Sequence, residues 1–500
     1  MNNFKKHIYT IILPIIVIAI ATGWIVYGLN IPIYTFHSVR QAHTAMVAYS
    51  LWKGGFALEN VRLFFGGPNG TVILFELPIY DSIVALGYHL FGQHDIIAKG
   101  VAVLFSAAAC GMFISLGKLL IPKIKSLYWL AAFLLIPIWI YHAQTVQPEA
   151  IMMFIAVSMM LFTLKTYQSK SYWWPFLLCL FSVIGVCIKA NQIFHIFLLP
   201  WALLMFGERK PRLLLTTMIQ FFISVIVAYL WTRVGVQWPD QTLSGIVWKV
   251  FFDFSRLFDF HFIAKAVFTL ILLVAPPVVL FLIWKGGCSI KTAKPEWKAV
   301  GLCALAYLIA GYPIYSFHTY YLNPLVPFVA LFLVKGIMQL IESGLRQRYL
   351  KITLILLGIP SIFIWFVGVR LLYSPQTEQI VPAGKLVQKY CSQDKPLVVL
   401  DQSARWSRFL AEPRLLYSAK RFGWNILSDD VDIVRKKLKE CKALGAEVVV
   451  NLNYSPKFEP KIMKLTRTYR PAYKIHDPKE LGLVLLEKDE KYLVSIWKIM

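Results

Sequence analysis

The stretch LYWLAAFLLIPIWIYHAQTVQPEAIMMFIAVSMMLFTL, residues 127–164, decides how the rest of the chain is read. It holds two apolar runs, 127–145 and 147–164, that meet at a turn around Gln147-Pro148-Glu149. Each run is long enough to cross the ~30 Å hydrocarbon core of a bilayer as a helix. Working outward, similar runs fall at 8–29, 96–117, 172–188, 190–207, 213–233, 265–285, 298–315, 321–341 and 351–373, about eleven spans in all. The first follows Lys5 and Lys6 and lacks a clear small-residue cleavage site, so it reads as a retained helix rather than a signal peptide. Composition agrees: 58% of the 500 residues are apolar and 15% charged, against roughly 45–50% and 25% in soluble domains. The pattern is that of a polytopic α-helical membrane protein.

The net charge of +25, from 51 basic and 26 acidic residues, would suit a nucleic-acid binder if it stood alone. The basic residues instead occupy short loops between apolar runs. With a cytoplasmic N-terminus the inner loops carry Lys118, Lys123 and Lys125, then Lys165 and Lys170, then Arg209, Lys210 and Arg212. Later ones carry Lys285, Lys291, Lys294 and Lys298, then Arg346, Arg348 and Lys351. All fall on one side, as the positive-inside rule requires. A soluble nucleic-acid protein and a single-span receptor are excluded. Of the eleven acids before residue 374, only Glu208, Glu296 and Glu342 fall inside; Glu59, Glu76, Asp81, Asp95, Glu149, Asp240, Asp253 and Asp259 fall on or near the outer face. Acids do not set topology, so a polar site on that face would account for them.

An odd number of spans places the C-terminus outside. Near Ser374 the apolar runs shorten, and residues 374–500 carry 23 Lys/Arg against 15 Asp/Glu. Segments 397–401, 447–452 and 482–487 read as strands and 429–444 as an amphipathic helix. The expected organisation is a transmembrane domain over 1–373 and a small extracytoplasmic α/β domain over 374–500. Two outer loops, 30–95 and 234–264, are long. The first contains a helical pattern over 38–53 whose apolar spacing suits a helix lying in the membrane interface. Cys391 and Cys441 either pair in an oxidising compartment or stay as thiols. No Walker loop, G-x-G-x-x-G, His-Glu-x-x-His or C-x-x-C motif occurs.

Four polar clusters fall on or near the outer face: His37-Ser38-Val39-Arg40-Gln41-Ala42-His43-Thr44, Phe75-Glu76-Leu77-Pro78-Ile79-Tyr80-Asp81, Gln147-Pro148-Glu149, and His318-Thr319-Tyr320-Tyr321-Leu322-Asn323-Pro324. Lys189 adds a cation in a tight outer turn. Each has a plain structural reading. Arg40 suits a headgroup anchor, Glu76 and Glu149 suit helix starts beside proline, and the tyrosines suit an interfacial belt. Lys189 is harder to place so, because a positive-inside protein has little reason to put a cation there. Taken together, cations and carboxylates converging on one aqueous cavity could bind a phosphate and activate a hydroxyl. In sugar transfer from a lipid phosphate the leaving group needs cations rather than a second carboxylic acid, and one base must take the acceptor's proton.

At these residues the sequence resembles the GT-C superfamily of polytopic glycosyltransferases, in the branch of the bacterial lipid A aminoarabinose transferases and the relatives of protein O-mannosyltransferases. The residues that carry the resemblance are His37 to Thr44, Glu76-Leu77-Pro78-Ile79-Tyr80, Pro148-Glu149, Lys189, His318 to Pro324, and the tail stretch Tyr417-Ser418-Ala419-Lys420-Arg421-Phe422-Gly423-Trp424. Two positions depart from the family's pattern. Val39 replaces a tryptophan, and His43 stands where the family carries its first-loop aspartate.

The resemblance implies an enzyme of the plasma membrane, the inner membrane of a bacterium. It would pass a hexose or pentose from a polyprenyl-phosphate donor to a lipid or glycan acceptor on the outer face, modifying lipopolysaccharide or a cell-wall glycan, with inversion. Arg40, Gln41, Lys189, His318, Tyr320 and Tyr321 would bind the donor, and His43, Glu76 or Glu149 would orient or deprotonate the acceptor. Membrane lipids are the other implied partners. No cofactor is implied, and nothing indicates a divalent cation, though the site would admit one. The rival readings are a non-catalytic subunit that binds the lipid-linked sugar, which the aspartate-to-histidine change permits, and a lipid or sugar transporter.

Overall fold

The computed structural model describes residues 2–72, 74, 76–236, 255, 258–288, 290, 293–310, 318–342, 347–374, 379–401, 413–426, 431–452, 481, 483–489 and 494–499. Asp240 and Asp253 of the second long loop, and Lys291 and Arg346 of the expected inner loops, lie outside the described residues. The chain forms two compact units, each built from discontinuous segments.

The first unit comprises Met1–Ile31, Phe75–Tyr80 and Lys99–Leu372 and is helical. Among the described residues six helices are long and apolar enough to cross a membrane: Ile11–Asn30, Asp95–Leu120, Glu149–Gln168, Pro211–Trp231, Thr319–Glu342 and Ile355–Tyr373. A seventh is the pair Phe260–Leu273 and Pro277–Cys288, bent by 96°. The chain is a multi-pass membrane protein. The remaining expected spans are shorter or broken. The run at 127–145 divides into helices Ser126–Leu134 and Pro137–His142. The runs at 172–188 and 190–207 correspond to apolar helices Trp173–Lys189 and Phe194–Phe206. Proline accounts for two of the interruptions, at Pro137 and at Pro276-Pro277, since it lacks an N–H and its ring clashes with the preceding turn.

Burial separates the helices. Glu149–Gln168 is apolar on every side and buried along nearly its whole length, as a helix without a polar face must be. Pro211–Trp231 leaves most of its apolar side chains exposed and Ile355–Tyr373 many of them, as lipid-facing helices do. Lys99 is buried and donates from Nζ to the carbonyl oxygens of Gly28, at 2.7 Å, and Ile31, where it satisfies the end of the first helix. Helices Pro277–Cys288 and Val326–Glu342 approach so closely that a Cβ on Gly336 would lie 1.9 Å from the Leu282 carbonyl oxygen. Small residues at such a crossing replace the hydrophobic drive that helices lack inside lipid.

The second unit comprises Pro32–Leu74, Asp81–Ala98 and Tyr373–Met500. Its sheet has five strands: β3 (Leu397–Asp401), β4 (Gly423–Ile426), β5 (Val448–Leu452), β6 (Leu483–Asp489) and β7 (Val494–Ile499), in the order β4-β3-β5-β7-β6. Strands β4, β3 and β5 are parallel, and β7 and β6 continue antiparallel. Helix Val431–Ala443 packs Val434, Leu438 and Cys441 into a core with Val398, Leu400, Val449 and Ile499. The tail is therefore the expected small α/β region, with β4 and β7 beyond the strands the sequence pattern marks. A hairpin in the first loop, β1 (Arg62–Leu63) with β2 (Thr71–Val72), completes the strands.

One expectation changes here and one open alternative is decided. Helix Ser38–Gly54 forms, but it is not half-exposed as an interfacial helix would be. Ser38, Gln41, His43, Thr44 and Ser50 are buried together with Ala42, Ala45, Met46 and Leu51. Cys391 and Cys441 are both free and buried, and the Cys391 Sγ lies 3.6 Å from the Lys395 carbonyl oxygen. Burial pushes both thiols up, Cys441 to about 11, which makes them poor thiolates.

Replacing Gly336 with alanine is expected to lower thermal stability in detergent by about 1–3 kcal/mol, the usual cost of overpacking. Gly358→Ala, where an added Cβ meets nothing within 4 Å, is the control and leaves the melting temperature unchanged or slightly raised.

Candidate functional site

Buried polar side chains gather in the first unit at the turn that opened the sequence reading. Between helix Pro137–His142 and helix Glu149–Gln168 the side chains of His142, Gln144, Thr145, Gln147 and Glu149 are all buried. The turn satisfies many of its own groups: His142 Nδ1 lies 3.2 Å from Thr145 Oγ1, and Gln144 Nε2 donates to the Tyr141 carbonyl at 3.1 Å. Glu149 begins the following helix, where its carboxylate complements the helix dipole. A buried carboxylate still needs a cation. Lys189 provides it, donating from Nζ to Glu149 Oε1.

Local backbone geometry makes that contact. Helix Trp173–Ile193 loses helical φ/ψ at Lys189, so the sequence-predicted turn is present as a break at one residue. At the end of the regular part, the Cys187 carbonyl accepts the Leu77 N–H at 2.9 Å. This bond fastens the Glu76-Leu77-Pro78 segment beside the break, and Glu76 is half-buried there.

The fourth cluster closes the group. The Lys189 Nζ lies 4.7 Å from the Tyr320 ring centroid and 6.0 Å from that of Tyr321. Such a distance places the cation over an aromatic face. His318 stacks on Tyr320, centroids 5.1 Å apart and planes 13° from parallel, and Tyr320 meets Tyr321 at 4.5 Å. The segment Thr319–Leu325 is a 3-10 turn leading into helix Val326–Glu342, and the Tyr307 hydroxyl donates to the Tyr321 carbonyl. The structure thus gathers Glu149, Lys189, His318, Tyr320 and Tyr321, with Glu76 on the segment held at the helix break.

Arg40, Gln41 and His43 belong to the second unit and are described within it. His37, with φ of 56°, precedes their helix and accepts the Gln41 N–H at its carbonyl. Gln41 Nε2 donates to the Phe36 carbonyl at 3.1 Å and to Thr35 Oγ1 at 3.3 Å. His43 is buried, with its ring 6.1 Å from Phe65. Burial first, and then the Arg40 charge, depress its pKa to about 3. Its imidazole is neutral at physiological pH. The ordinary value near 6.5 that would suit proton abstraction does not hold at this position.

The sequence clusters missed His142, Gln144 and Thr145. Their signal was available: these three and Gln147 and Glu149 fall within eight residues of an otherwise apolar region, a dip that span counting absorbs into a helix. Among the described residues no group of three or more His, Cys, Asp and Glu side chains could hold a metal ion.

Two outcomes are expected. Lys189→Ala leaves the Glu149 carboxylate buried without its cation and should cost about 3–5 kcal/mol; Lys189→Met with Glu149→Gln should recover much of that loss in a thermal melt. For His43, the unfolded imidazole takes a proton below pH 6.5 and the folded one only near pH 3. Its contribution to stability is therefore fully present above pH 6.5 and lost as pH falls from 6.5 to 3, by up to about 1.4 kcal/mol per pH unit. His43→Phe should flatten the stability profile over that window.

In comparisons with known proteins, no protein-family model matches the chain, and no curated protein matches it in sequence. Solved structures do match. The crystal structure of ArnT from Cupriavidus metallidurans bound to undecaprenyl phosphate aligns over 97% of this chain and 98% of its own, with a TM-score of 0.60 and 12% identity. Its apo state aligns over 97% of both chains, with a TM-score of 0.59 and 13% identity. The archaeal oligosaccharyltransferase AglB from Archaeoglobus fulgidus, in complex with an inhibitory peptide and a dolichol-phosphate, aligns over 90% of this chain and 70% of its own, with a TM-score of 0.55 and 12% identity. The long apolar helices, the buried helix Glu149–Gln168 and the tail sheet therefore compose a fold shared with these solved structures.

Proposed function

We propose that the chain is a glycosyltransferase that takes a sugar from a polyprenyl-phosphate donor and passes it to a lipid or glycan acceptor at the outer face of the plasma membrane. One observation carries the reading: a buried lysine–glutamate pair set against a tyrosine face. It occurs in a chain that shares its fold, along 97% of its length, with a structure bound to undecaprenyl phosphate. The AglB complex that holds a dolichol-phosphate supports the same donor class. The basic inner loops support a cytoplasmic N-terminus and an outer-face site.

In this proposal the donor phosphate draws Lys189 away from Glu149, and the cation passes from one anion to another. Tyr320 and His318 flank the phosphate, with Tyr321 as a further contact of the first unit; for the second unit, Arg40 and Gln41 are the residues proposed to bind a donor phosphate. The acceptor oxygen attacks the anomeric carbon while the bond from that carbon to the phosphate oxygen breaks. The electron pair leaves with the phosphate, whose charge Lys189 stabilises. The acceptor's proton goes to a carboxylate, Glu149 or Glu76. Glu149 is the better placed of the two, because phosphate binding to Lys189 releases its carboxylate. His43, neutral and buried, orients rather than deprotonates. A single displacement of this kind inverts the anomeric centre without a covalent enzyme intermediate.

The test is incubation of the purified protein in detergent with polyprenyl-phosphate sugars and candidate acceptors. Transfer to an acceptor supports the enzyme. Donor binding without transfer would make the chain a binding subunit, and movement seen only across sealed vesicles would make it a transporter. Glu149→Gln is expected to lower kcat at least 100-fold, within the range for loss of a positioned base, with a smaller change in the donor KM. The Lys189→Met, Glu149→Gln double variant should weaken donor binding by about 1.5–3 kcal/mol.

A further inference from the structure

The tail segment Arg414 to Trp424 has a place in the fold that the proposed chemistry does not use. It is the part of the tail that grips the first loop, and it does so within the second unit at three separate points. Arg414 Nη1 donates to Ser38 Oγ at 3.1 Å. Ser38 is the first residue of helix Ser38–Gly54 and is fully buried, so this bond fixes the helix at its start, two residues before Arg40. The Tyr417 hydroxyl donates to Asp95 Oδ1 at 2.7 Å and receives Gln93 Nε2 at 3.3 Å. Tyr417 is itself buried, and this contact secures the far end of the loop. Between the two, Gly423 N donates to the Phe64 carbonyl at 2.8 Å and the Gly423 carbonyl accepts the Gly67 N–H at 2.9 Å, while Phe422 packs on Phe64 with centroids 4.6 Å apart. Gly423 has no room for a side chain, since a Cβ there would lie 1.8 Å from the Leu397 carbonyl oxygen.

Surface attachment of a tail would need only one such contact. Here both ends and the middle of the loop are held, two of the three points by side chains: Arg414 reaches the buried Ser38, and the buried Tyr417 reaches Asp95. We propose that Arg414 and Tyr417 are positioning residues: they hold the first-loop helix so that Arg40 and Gln41 meet the phosphate of a lipid-linked donor. This rests on the donor role proposed for Arg40. Neither residue need touch the donor. Each acts through the helix whose start and whose loop it holds.

The probe is undecaprenyl phosphate, titrated against the full-length protein in nanodiscs, with amide exchange of residues 38–54 measured on the same samples. Arg414→Ala and Tyr417→Phe are expected to speed exchange over 38–54 and to weaken binding on the order of tenfold, the effect of one charge-assisted hydrogen bond. Arg414→Lys, which keeps a charged donor, should fall nearer the native protein. If Arg414 works through Arg40, then in an Arg40→Ala background Arg414→Ala should add little. An equal further loss in that background would overturn the proposal. So would unchanged exchange and unchanged affinity in both single variants of correctly folded protein. Should Arg40→Ala itself leave affinity unchanged, the donor role of Arg40 fails, and the exchange measurement alone decides whether the tail holds the helix: faster exchange upholds that part, and native exchange overturns it.

Discussion

A buried ion pair, Lys189 with Glu149, constrains everything placed around it. Taking two charges out of water costs several kcal/mol per ion, and their mutual attraction returns that only where the geometry is good and remaining groups are satisfied. The surroundings meet those terms. Glu149 sits at a helix start, Lys189 sits where its own helix breaks, and Tyr320 offers the ammonium an aromatic face. A pair of this kind is a weak source of stability. What it does provide is a cation kept in an apolar setting where a bare lysine would be expensive, with a countercharge that an incoming anion can replace.

The two units distribute the proposed work. One carries the carboxylate, the cation and the tyrosines on helices, where the backbone is rigid. The other carries Arg40, Gln41 and His43 on a helix from the first loop, and that loop is held by chain that follows some three hundred residues later. A loop of that length closes at modest entropic cost, because the penalty grows only with the logarithm of length. Its order must then come from contacts, those of Arg414, Tyr417 and Gly423 of the tail among them. Most of the helix is buried, and its polar residues meet protein groups where an interfacial helix would show them to water.

How far the sequence was legible follows from the range of each signal. Spans are local and were readable from apolar runs, as was Glu149, because Pro148-Glu149 marks a helix start. Lys189 stood out because the positive-inside rule left it unexplained. The turn at Lys189 was readable as the gap between two apolar runs, and the structure has it as a break at that residue. The partnership of Tyr417 with Asp95 could not be read, since no local pattern encodes it. Strands β4 and β7 escaped for a different reason. Gly423-Trp424-Asn425-Ile426 is four residues long and begins with a glycine that only close packing explains, and β7 follows a run of charges, Glu487 to Lys491, that reads as a loop end. His43 was legible as a departure from the resemblance, but its burial was not. That burial reverses its chemistry.

The histidine at position 43 bears on what kind of catalyst the chain can be. A phosphate leaves with its own negative charge and has no need of a proton, so the reaction asks for one base, one or more cations, and little else. Exchanging an aspartate for a neutral imidazole removes one anion from that inventory and adds no cation at physiological pH. In the proposed reaction the requirement for a base then falls on Glu149 and Glu76. Glu149 gains most from the exchange, since its carboxylate is held by Lys189 until a phosphate competes for the ammonium. Donor binding and readiness of the base become one event, because the same lysine cannot fully serve two anions. A site arranged this way would not set its base free until the sugar to be transferred is in place. In the proposed reaction that order of events would protect a lipid-linked sugar from reaction with water.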